Sequence, residues 1–262
     1  MPFLSAGGEH AGAVRLYYED HGSGRPVVLI HGWPLNGASW ELQEAALLAA
    51  GHRVITYDRR GFGASDKPSS GYDYDTLAAD LHAVLETLDL REAVLVGFSM
   101  GSGEVARYLG TYGSERVARA VLLGAPPPFP PESGGVRADL PLFVAGHLAE
   151  LYGVDLLGGG PVSDRVVQYS WNVGVSAAAG STTAGHGRTG LADFGADLPR
   201  IRVPVLIVHG GADRALPPDS TALPLAEAIA GARLVVVEGA PHGLIWTHAA
   251  EVNQELLAFV GE

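Results

Sequence analysis

Short apolar, β-branched runs recur along the chain at Val27 to Ile30, Val54 to Tyr57, Ala93 to Val96, Ala120 to Leu123, Val205 to Val208 and Leu234 to Val237. None of them alternates with polar residues. A strand covered by helices on both faces needs apolar side chains on both, so these runs predict buried parallel strands. Between them the apolar positions change period. Leu77, Leu81, Val84, Leu85 and Leu88 follow the Asp-rich start Tyr72 to Asp75, and Val252, Leu256, Phe259 and Val260 follow Thr247. This spacing predicts helices, the second one capped by Thr247. Further helical segments are expected over Gly103 to Tyr112 and Asn36 to Ala49. Val14 to Asp20 alternates instead, with Val14, Leu16 and Tyr18 on one face, and the turn residues His21 to Gly24 lead on to Val27. That pattern predicts an antiparallel hairpin at one edge. The expected fold class is α/β: a doubly wound, mostly parallel sheet with an N-terminal antiparallel hairpin.

The strand and helix alternation fails between Ala125 and about Asp197. Pro126 to Pro131 holds five prolines in six positions, a stiff exit from the sheet. Leu140 to Leu151 and Asp164 to Trp171 are helix candidates, whereas Gly158 to Pro161 and Ala177 to Gly190 are rich in small residues. An inserted helical cap over residues 126–197 is expected, on a core made of 1–125 and 198–262.

Composition narrows the function classes. With 262 residues, 47% hydrophobic and 18% charged, the chain has the size and apolar content for a substantial core, which excludes intrinsic disorder. The formal net charge is -12, and the 17 Lys and Arg residues are scattered. No basic stripe tracks phosphates, so neither nucleic acid nor an anionic membrane is expected as a partner. No apolar run approaches the ~18 residues of a membrane span, and Met1 to Gly12 lacks the pattern of a secretory signal, so the cytoplasm is the expected compartment. There is no Cys. Chemistry must come from Ser, His, Asp, Glu or an added cofactor.

The sharpest local signal is Gly97-Phe98-Ser99-Met100-Gly101, set between the strand Ala93 to Val96 and a helical segment. A serine on a strained strand-to-helix turn needs neighbours without a Cβ two residues to each side, and Gly97 and Gly101 provide them. The hydroxyl is a poor nucleophile unless a base takes its proton and a third group orients that base. Asp213 lies just beyond Val205 to Val208, and His242 just beyond the last strand. All three then sit at C-terminal strand ends, where open α/β sheets form their crevices. Asp219 competes as the acid, and His209 and His248 compete as the base. Asp219 follows a Pro-Pro step, His209 is still at the strand end and His248 is in a first helical turn, which favours Asp213 and His242. For the oxyanion the backbone N–H groups of Met100 and Trp33 are the candidate donors; Pro34 has none to offer and shapes the loop. His31 is read as a brace for that loop.

His31-Gly32-Trp33-Pro34, Tyr57-Asp58-Arg59-Arg60-Gly61-Phe62-Gly63, the elbow running on through Gly103 to Tyr108, and Ala240-Pro241-His242-Gly243-Leu244 resemble the cofactor-free haloperoxidase and aryl esterase (perhydrolase) branch of the α/β-hydrolases. The resemblance covers most of Val14 to Ala125 and Leu198 to Val260. It implies a triad of Ser99, Asp213 and His242, oxyanion donors Trp33 and Met100, and no metal, haem or other cofactor. It further implies that the Trp33 carbonyl, held by Pro34 at the substrate pocket, accepts a hydrogen bond from peroxide, and that the protein is a homo-oligomer. Ser102 departs from the branch, which usually has Gly there, and is tolerated if its side chain points away. The cap resembles the branch weakly, so substrate size is not carried over.

The expected activity is hydrolysis of small carboxylic esters through an acyl-enzyme, with peracid formation from a carboxylic acid and peroxide as a side activity. A lactonase or lactamase with the same triad is the alternative enzyme, and a non-catalytic ligand-binding protein the alternative of another class. Gly61-Phe62-Gly63 lacks the third Gly of a dinucleotide loop, and His242 and His248 lack metal-ligand spacing.

Overall fold

The computed structural model describes residues 2–7, 13–129, 140–154, 160–178 and 192–262. Eight strands form one sheet: β1 (Phe3–Ala6), β2 (Val14–Gly22), β3 (Pro26–Ile30), β4 (Arg53–Tyr57), β5 (Ala93–Phe98), β6 (Val117–Leu123), β7 (Val205–Gly210) and β8 (Arg233–Val237), in the order β1-β2-β4-β3-β5-β6-β7-β8. All six apolar runs are strands. From β4 to β8 every neighbouring pair is parallel, whereas β1 with β2 and β2 with β4 are antiparallel.

One expected pairing is different. The turn after β2 does connect it to β3, but the two strands do not pair, because β4 lies between them. The antiparallel hairpin is β1 with β2, in the register Leu4 to Leu16. A tight turn of His21 to Gly24 reads as a hairpin locally, and only the sheet as a whole shows that β4 takes the place beside β2.

The helices relevant to the site are α1 (Glu41–Ala49), α2 (Tyr74–Thr87), α3 (Met100–Tyr112), α4 (Leu140–Tyr152), α5 (Asp164–Ser176), α6 (Ala222–Ala228) and α7 (Ala249–Gly261). Asp73 caps α2 by accepting the Thr76 N–H at 2.9 Å. The Thr247 cap of α7 is not formed. His248 occupies the cap position, and Thr247 Oγ1 lies against the Gly243 carbonyl and His248 Nδ1, because a single helical turn over Leu244–Thr247 precedes α7.

The parallel strands β3 to β7 are buried on both faces along most of their length. β8 is not buried as expected: Val236 is exposed and Leu234 and Val235 are half-buried, because β8 is the edge strand of the sheet. Along β5, Ala93 and Leu95 join the core under α2 and α3, while Val94, Val96 and Phe98 join the opposite core with Trp40, Leu256 and Phe259. At roughly 1.5–3 kcal/mol for each fully buried large aliphatic side chain, these two layers are the main stabilising contribution to the sheet. Between β6 and β7 the described residues form α4 and α5 and no strand. Parts of the proline run and of the small-residue stretches expected there lie outside the described residues.

Candidate active site

Four loops converge at the C-terminal ends of β3, β5, β7 and β8. Ser99 stands between β5 and α3 with φ 52° and ψ -119°, a left-handed conformation that L side chains seldom adopt. The turn is held by its surroundings. A Cβ on Gly97 would lie 2.4 Å from the Gly101 carbonyl oxygen, and one on Gly101 would lie 2.1 Å from that of Ile30. Both contacts are with backbone, so neither position accepts a side chain. The Ser99 N–H donates to the Leu123 carbonyl at 2.8 Å. Ser102 does point away from the site: its hydroxyl donates back to the Gly97 carbonyl at 2.8 Å and ties the first turn of α3 to the strand.

His242 and Asp213 meet this serine. His242 Nε2 is 3.0 Å from Ser99 Oγ, and its Nδ1 is 2.6 Å from Asp213 Oδ2. Oδ1 of the same carboxylate accepts the Leu216 N–H at 2.8 Å. Burial by itself would raise the Asp213 carboxyl, but contacts with His209, His242 and the Leu216 amide outweigh it and hold the group below the usual carboxylate range. The three side chains are buried, yet Ser99 keeps 8% of its surface exposed.

The competing residues are elsewhere. Asp219 is exposed in a single turn over Pro218–Ser220, and His248 contacts Thr247. His209 is placed on Asp213, not on Ser99, with Nε2 3.2 Å from Oδ2.

The loop after β3 lies directly against the elbow. A Cβ on Gly32, the residue before Trp33, would be 3.0 Å from both the Phe98 carbonyl oxygen and Ser99 Cβ, so the loop packs tightly on the elbow there. His31 shapes this loop from inside. It contacts the Gly32 carbonyl through Nδ1 at 2.9 Å and accepts the Arg59 N–H through Nε2 at 3.0 Å. Burial, reinforced by the Arg59 charge, pushes the imidazole down to about 3, so it is neutral at ordinary pH. Pro34 is buried against Gly174 of α5.

Several features have no signal in the sequence. His147 of α4 sets its ring edge 4.9 Å from Trp33 and 6.2 Å from His242, measured between centroids. Arg59 Nε bonds Glu104 Oε2 at 2.6 Å, and Arg60 forms two 2.6 Å bonds with Asp80. Tyr57 completes the Glu104 partners. Adjacent arginines normally read as a solvated face; here both are buried. Among the described residues the carboxylate and histidine group with metal-ligand spacing is Glu19, His21 and Glu44, on β2 and α1, separate from the Ser99 grouping.

Residues 25–156, which hold the strained serine between strand and helix, match the family model described as the alpha/beta hydrolase fold. The chain belongs to the α/β hydrolase fold family. Within it, this hydrolase is similar along its whole length to non-heme haloperoxidases and esterases. A Synechocystis sp. protein provisionally named a non-heme chloroperoxidase is 51% identical over 276 residues, covering 99% of this chain and 100% of its own. The bifunctional esterase/perhydrolase of Acinetobacter calcoaceticus is 35% identical, covering 94% of this chain and 96% of its own. The crystal structure of a bromoperoxidase from Bacillus anthracis superposes with a TM-score of 0.91 at 40% identity, over 100% of both chains. This hydrolase is therefore an enzyme. Among its described residues no helix is long and apolar enough to cross a membrane.

Proposed function

We propose that the protein is a serine esterase of small carboxylic esters that also makes peracids. The observation that carries this reading is the unbroken contact from Ser99 Oγ to His242 Nε2 to Asp213 Oδ2, at 3.0 and 2.6 Å. His242 takes the Ser99 proton as Oγ attacks the ester carbonyl. Asp213 accepts from Nδ1, which keeps Nε2 free as the base and stabilises the imidazolium. The N–H groups of Trp33 and Met100 donate to the oxyanion that forms. His242 then protonates the departing alcohol and leaves an acyl group on Ser99. Water, losing its proton to His242, releases the carboxylic acid. Hydrogen peroxide in the same role releases a peracid, which oxidises halide outside the site. Pro34 belongs to the substrate pocket.

Residues 126–197 act in this reading as a cap that closes the pocket on small acyl groups, supported by the contact of α4 with Trp33. The partners are small esters and carboxylic acids, the enzyme works in the cytoplasm, and the chain assembles as a homo-oligomer. A fluorophosphonate should label the native protein at Ser99. Ser99→Ala should abolish labelling and aryl acetate hydrolysis, and Asp213→Asn should lower kcat by thousands-fold, on the order of the loss seen when a triad His is held in the wrong tautomer. Hydrolysis that survives Ser99→Ala in folded protein overturns the proposal.

A further inference from the structure

Asp213 carries a second histidine that the reaction above does not use. His209, at the end of β7, is fully buried. Its Nε2 bonds the Leu216 carbonyl oxygen at 2.7 Å and lies 3.2 Å from Asp213 Oδ2. Both neighbours are acceptors, so Nε2 carries a hydrogen. Nδ1 is shut off from solvent with no hydrogen-bond partner among the described residues, which suits a bare lone pair. Thr221 Oγ1, 3.4 Å from Nε2, gives its own hydrogen to the Pro217 carbonyl at 2.8 Å.

Leu216 is therefore fastened at both ends of its residue: its N–H to Asp213 Oδ1 at 2.8 Å, its carbonyl to His209. The loop 210–216 closes on itself with the Asp213 carboxylate inside it. Within salt-bridge distance Asp213 faces two basic groups among the described residues, His209 and His242, on the same oxygen.

We propose that His209 is a positioning residue for catalysis: its Nε2–H fixes the rotamer of Asp213 through Leu216 and withdraws charge from Oδ2, so that Asp213 orients His242 without binding its imidazolium too tightly. This rests on the triad reading. An N–H beside Oδ2 shares the carboxylate charge that would otherwise face His242 alone. Without it, the imidazolium is held more firmly and the acid limb of the rate profile moves to higher pH.

The test compares His209→Leu, His209→Gln and His209→Asn for kcat, KM and the pH profile of kcat/KM on an aryl acetate, with Ser99→Ala as the control for the triad itself. Gln can present an amide N–H where Nε2 stands; Asn reaches only the Nδ1 position. His209→Leu should lower kcat about tenfold or more with KM little changed, in line with the ~10–100-fold cost of losing outer partners of a ligating His. Its acid limb should move up in pH. His209→Gln should restore both the rate and the limb, and His209→Asn should not. If Leu fails to fold, the Gln and Asn pair decides by the same criterion. Equal rates and an unmoved limb in Gln and Asn overturn the proposal, as does a wild-type profile in His209→Leu. Failure of the triad reading would show separately, as unchanged hydrolysis in Ser99→Ala.

Discussion

The N–H of Gly243, the residue after His242, donates to the carbonyl of Leu151 at 2.5 Å. This bond joins the loop that carries the histidine to the last turn of α4, which also presents His147 to Trp33. One helix thus touches both the loop of His242 and Trp33.

Gly243 has an ordinary φ of -78°, so alanine is strained there only by space. Its Cβ would lie 2.5 Å from the Leu151 carbonyl oxygen. Gly243→Ala should push α4 and the His242 loop apart, costing about 1–3 kcal/mol of stability as an overpacked site. Displacement of His242 by a fraction of an ångström should lower kcat by at least about tenfold. Thermal unfolding and ester kinetics check this, and a normal kcat would show that the link does not place the histidine.

His31 links site geometry to the stability curve. Its folded value, about 3, lies below the 6.5 of an exposed histidine, so between these values the unfolded chain binds the extra proton. Stability should be full above about pH 6.5 and decline as pH falls toward 3. At pH 5 the loss from this group is roughly 2 kcal/mol, that is about 1.5 pH units at ~1.36 kcal/mol each. His31→Asn should start less stable, having lost its bonds to Gly32 and Arg59, but should fall less steeply. Chemical denaturation at pH 7, 6 and 5 measures the gap; curves that stay parallel would contradict the assignment.

Pro34 tests the peroxide half of the proposal. A proline fixes its own φ near -65° and restricts the residue before it, which limits where the Trp33 carbonyl points. Pro34→Leu should lower perhydrolysis more than ester hydrolysis, with fluorophosphonate labelling of Ser99 retained. A parallel fall would make Pro34 a packing residue against Gly174.

The strands β3 to β7 were legible because a strand buried on both faces must be apolar at every position, a one-dimensional property; the apolar run of β8 gave the strand but not its partly exposed place at the sheet edge. The elbow was legible for a related reason. Gly97 has no room for a Cβ against the Gly101 carbonyl four residues on, Gly101 has none against the Ile30 carbonyl of β3, and Ser99 stands between them, so the close approach leaves a short Gly-x-Ser-x-Gly mark in the sequence. Asp213 and His242 followed from the rule that loops after parallel strands share one end of the sheet.

Contacts between segments distant in sequence were decided by the tertiary structure alone. The partner of β2 is β4, because pairing depends on the order of strands across the sheet and not on the turn that follows β2. Arg59 and Arg60 are buried because Glu104 and Asp80, 45 and 20 residues further on, neutralise them, and the local pattern holds no trace of either partner. His209, His147 and Leu151 reach the site in the same way. A side chain's chemistry is written in its sequence, but its neighbours are fixed by how the helices pack on the sheet, a relation that no short stretch of the chain contains.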